Sequence, residues 1–72
     1  MTESYKQAAE WAQHEADVTG EPFVVVRMPN TTAYGCERIS DYAMKIRGRV
    51  AATIYLETIV PQEWRKARNG EN

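Results

Sequence analysis

Cys36 and His14 are the only thiol and the only imidazole in the sequence, so any nucleophilic chemistry beyond that of hydroxyls and amines would start from them. A Cys–His pair makes a thiolate nucleophile only when the two side chains lie within hydrogen-bond reach and a further group orients the base. Nothing in the spacing supplies that third group. The expectation is that Cys36 packs as a small apolar residue in a strand and that His14 is a solvated helix residue. A single cysteine excludes an internal disulfide and a cysteine-rich zinc site. Glycine-rich phosphate loops, paired catalytic carboxylates and metal-ligand spacings are likewise absent from the sequence. The sequence is read as no enzyme, with no cofactor and no metal, working in a reducing, cytoplasmic compartment.

What stands out instead is where the charges lie. The net charge is −1, but residues 1–22 hold Glu3, Glu10, Glu15, Asp17 and Glu21 against Lys6 alone. The middle of the chain is basic, with Arg27, Arg38, Lys45, Arg47 and Arg49 against Glu37 and Asp41. Two faces of opposite potential are expected, and such fields act chiefly on association. The acidic helix alone is read as a solvated face. Lys45, Arg47 and Arg49 stand at alternate positions with Tyr55 further along, so a strand would present them on one side, joined by Arg27 and Arg38 from its neighbours. Arginines with exposed tyrosine suit an acidic protein surface, and equally the phosphates and bases of single-stranded nucleic acid. The same pattern also keeps an edge strand soluble.

Trp11 and Trp64 add a second requirement, because their apolar area is costly to leave in water at about 25 cal/mol per Å². Both fall outside the obvious core stripes. They are expected to meet across the domain, or failing that to mark a partner or homodimer interface.

The elements that would hold these residues follow from periodicity. Residues 5–18 read as a helix, opened by Ser4 with Gln7 as a capping box and closed by Gly20. Tyr5, Ala8, Ala9, Ala12 and Ala16 form its uncharged stripe, with Trp11, His14 and Val18 together outside it. Residues 23–28 are β-branched and read as a central strand. Residues 29–32 have turn chemistry, leading into a second strand over 33–39. From 43 to 57 apolar residues occupy every second position, which predicts one long strand bent near Gly48. A rival reading makes 41–47 a helix capped by Ser40, with Ile39 and Met44 as a staple. Residues 61–68 read as a short helix.

The expected fold is a single α+β domain over residues 1–72: an N-terminal helix on a three-stranded antiparallel sheet in meander order, closed by a short C-terminal helix. No run is apolar enough to span a membrane, and the N-terminus lacks a basic leader and apolar stretch. At 72 residues the core is small, and small unstapled domains often complete it by self-association. The functional expectation is an interaction or inhibitor-type protein of bacterial or phage kind that binds a protein partner as a homodimer. The alternative is a nucleic-acid-binding regulator using the basic sheet face.

Overall fold

A computed structural model describes residues 1–29, 31–48 and 53–65. The chain runs α1 (Tyr5–Thr19), β1 (Phe23–Arg27), β2 (Tyr34–Arg38), α2 (Ile39–Arg47) and β3 (Ile54–Ile59), then a helical turn at 62–65. The α+β class, the N-terminal helix, the three-stranded antiparallel sheet and the short C-terminal helix are those expected from the sequence.

α1 forms where the capping signals put it. Ser4 is extended and its hydroxyl accepts the Gln7 N–H at 3.1 Å. The reciprocal arm of the capping box is not made by Gln7, because the Ser4 N–H goes to the Thr2 hydroxyl at 3.2 Å. Gly20 ends the helix in the left-handed region at φ 75° and donates to the Ala16 carbonyl at 2.8 Å. A side chain there would be strained.

The sheet order is β2-β1-β3, with β1 antiparallel to both neighbours. This corrects the meander, in which the second strand would be central. β1 holds the middle because its Phe-Val-Val-Val run is the segment able to be buried on both faces. Phe23 and Val25 lie on the α1 side, joined by Cys36, Leu56 and Ile59, and Ala8, Ala12 and Ala16 are fully buried against them. The alanines let helix and sheet approach closely. Val24 and Val26 face the other way and are buried too. A register shift between Val25 and Val26 marks a bulge in the pairing with β3.

The long strand over 43–57 is not formed. Residues 39–47 are helix and only Ile54–Ile59 is strand, so the rival reading holds in outline. A fifteen-residue strand would extend about 50 Å, while β1 offers only five residues to pair with. The first half of the segment instead folds over the sheet face that carries Val24 and Val26. The helix begins at Ile39, with Arg38 as an N-cap that makes no side-chain cap bond, so the expected Ser40 cap is also corrected.

Candidate protein-binding surface

The basic strand face expected from the sequence is taken apart by α2. Lys45 sits in α2, and its Nζ meets Glu37 Oε2 at 2.6 Å, while Thr53 Oγ1 donates to Glu37 Oε1 at 2.9 Å. The Glu37 side chain is 13% exposed, so Lys45 serves as its counter-ion between α2 and β2. Arg47 lies in the last turn of α2 and is exposed. Arg49 lies outside the described residues. Register puts Arg27 and Arg38 on the same side as Phe23 and Val25, the α1 side, and Tyr55 opposite Val26 on the α2 side. Arg38 pairs with Glu21 at 3.6 Å. Arg27 lines an open depression of about 490 Å³ with Pro29, Thr31, Thr32 and Ile54. The cations are therefore divided, Arg27 and Arg38 on the α1 side of the sheet and Lys45 and Arg47 in α2, on the side that carries Tyr55.

Tyr55 itself is half-exposed, its ring 6.0 Å from that of Tyr42 and its hydroxyl 2.9 Å from Thr58 Oγ1. Tyr42 was not singled out by the sequence, although its spacing from Lys45 (i, i+3) marks the side of α2 that meets the sheet.

Cys36 and His14 make no catalytic pair. Cys36 is half-buried in β2, where burial and then the Glu15 charge raise its thiol pKa, the reverse of what activates a nucleophile. His14 is exposed on α1. Tyr5 donates its hydroxyl to Glu57, and that hydrogen bond, aided by desolvation and the Glu57 charge, pushes its pKa up to about 12. This bond ties α1 to β3. Among the described residues no group of three or more His, Cys, Asp or Glu could hold a metal, and no helix is long and apolar enough to cross a membrane.

Among the described residues no ring contact joins Trp11 and Trp64. The 62–65 turn docks on the Gln13 and Asp17 side of α1: Gln62 N–H reaches Asp17 Oδ1 at 2.8 Å, Arg65 bonds Gln13, and Gln13 Nε2 reaches the Val60 carbonyl at 3.0 Å. Helical spacing puts Trp11 on the other flank of α1, with His14 and Val18. Trp11 is 39% exposed, Val18 69% and Trp64 47%.

A second apolar surface was missed by reading 43–57 as a strand. No residue of α2 is buried, and Ile39, Met44 and Ile46 are 42%, 67% and 53% exposed. The clue was the i, i+7 spacing of Ile39 and Ile46, which competes with alternation in so short a segment. No protein-family model matches the chain, and no curated protein and no solved structure matches it, so its surfaces are what speak for its function.

Proposed function

We propose that this is a non-enzymatic protein that acts by binding another protein, with the outer flank of α1 as its contact surface. One observation carries the reading. Trp11 and Val18 lie on one flank of a helix whose buried stripe is made of alanine, and both keep apolar surface in water outside that stripe. A large aromatic beside an aliphatic residue is the usual anchor of a binding surface. Glu10 and Glu15 flank them in the sequence, which favours a partner with a basic rim around an apolar pocket. Such a protein works by covering its partner's surface, as an inhibitor or accessory factor of a bacterial or phage kind does. A lone free cysteine suits the reducing cytoplasm.

The acidic partner and the nucleic-acid alternative both rested on one basic strand face. With residues 39–47 helical, Lys45 engaged by Glu37 and Arg27 and Arg38 on the α1 side, these residues do not form one strand face, which favours the α1 flank as the contact surface.

The test is quantitative capture from an extract of the source cell on immobilised wild type, Trp11→Ala and Val18→Glu. Both variants change exposed positions and should fold. The reading predicts specific proteins held by the wild type and lost, by about 10-fold or more, from both variants. Retention of the same proteins by all three would sink it.

A further inference from the structure

The stripe on α2 belongs to a different surface from Trp11, and its chemistry matches itself. Ile39, Ala43 and Ile46 stand at i, i+4 and i+7, which places them along one side of the helix. Ile39 and Ile46 are both about half-exposed. The interior they leave behind is thin: among the described residues the buried hydrophobic side chains are three alanines, three valines and Phe23. A domain of this size gains most by closing apolar surface against another copy.

We infer that α2 is the interface of a two-fold dimer, in which the α2 helices of two copies lie antiparallel along this stripe. The two-fold axis brings Ile39 of each copy against the partner's Ile46, with Ala43 near the centre, where its small side chain lets the helices approach. This is the self-complementarity that an isologous contact requires. Charge selects the direction. Arg47, in the last turn, would lie beside its own copy in a parallel pair, whereas antiparallel pairing sends the two guanidinium groups to opposite ends and opposes the helix dipoles. Tyr55, beside Tyr42 at the edge of α2, widens the contact.

The area sets the strength. A nine-residue helix is about 14 Å long, and its one face covers less than the roughly 800 Å² per partner of a standard interface. The dimer is therefore weak, and its population depends on concentration.

The experiment is sedimentation equilibrium of the full chain from about 1 μM to about 1 mM, with the fold of each variant checked by circular dichroism. The wild type should pass from monomer to dimer across that range. Ile46→Lys and Ile39→Glu should each weaken the dimer by about 10-fold or more, because each buries a charge against an isoleucine. The double variant carrying both changes sets the two new charges opposite each other across an antiparallel interface, and should dimerise at least about 3-fold more tightly than either single variant. A wild type that stays monomeric throughout overturns the dimer, while leaving the Trp11 reading to its own capture assay. Dimerisation unaffected by the single changes overturns its placement on α2. A double variant no tighter than the singles overturns the antiparallel register.

Discussion

The two faces of the sheet are closed in opposite ways. On one, α1 lays Ala8, Ala12 and Ala16 directly on Phe23 and Val25, and all five are buried. On the other, α2 covers Val24 and Val26 without burying a single residue of its own. It meets the sheet through Tyr42 and the Lys45–Glu37 pair, both of which keep a polar end in reach of water. The first seam is a packed interior in which volume matters to the last methylene. The second is a lid held by an aromatic contact and an ion pair, with its apolar side chains left outside. One region is thus specialised for stability and the other for surface, and the difference follows from side-chain size. Alanine lets a helix come close enough to exclude water, whereas tyrosine and lysine hold it further away.

This contrast fails if the α1 seam proves tolerant. Phe23→Ala should cost about 3–5 kcal/mol in urea-induced unfolding, whereas Ile46→Ala at protein concentrations below self-association should stay within about 0.5 kcal/mol. Comparable losses from both would show that α2 is core after all.

Ala12→Leu is expected to destabilise by about 1–3 kcal/mol, because the added carbons have no space between helix and sheet. A leucine accepted without loss would mean that the seam is looser than the zero exposure of Ala12 indicates.

On the α2 side, Lys45→Met should cost about 1–2 kcal/mol by leaving the largely covered Glu37 carboxylate without its counter-ion. Glu37→Gln added to it should recover part of that loss. An unchanged midpoint in the single variant would leave Tyr42 as the lid's main attachment.

Gly20→Ala should cost about 1 kcal/mol, since φ 75° is open to glycine but strained for alanine. No atom lies within 4 Å of an added Cβ there, so a larger loss would point to something other than backbone strain.

The smallest effect is a matter of pH. Tyr5 titrates at about 12 in the fold against an ordinary value of 10.0. Its neutral, donating form is favoured by folding, so its contribution is complete below the ordinary value and is lost as pH rises from there through about 12. Tyrosinate absorbance of the wild type should contain a component rising near pH 12 that Tyr5→Phe lacks. Equal titration of all tyrosines would remove the α1–β3 tie.

Much of the fold was legible because local chemistry dictated it. Ser4 and Gly20 bounded α1, alanine spacing chose its buried side, and the β-branched run from Phe23 could only be a central strand. Trp11 and Val18 were legible as surface for the same reason, since they fall off the stripe that alanine fills. Three things were decided only in three dimensions. Residues 43–47 satisfy both alternation and helical spacing, and became helix with 39–42 because β1 is too short to pair a strand running from 43 to 57 and because Val24 and Val26 needed a cover. The order β2-β1-β3 followed, as α2 carries the chain across the sheet to the free edge of β1. With that change Lys45 and Arg47 left the strand, and the stripe of Ile39, Ala43 and Ile46 came into being. A pattern of period two and a pattern of period 3.6 coincide over a few residues, and only the length of the partner strand and the area left uncovered could choose between them.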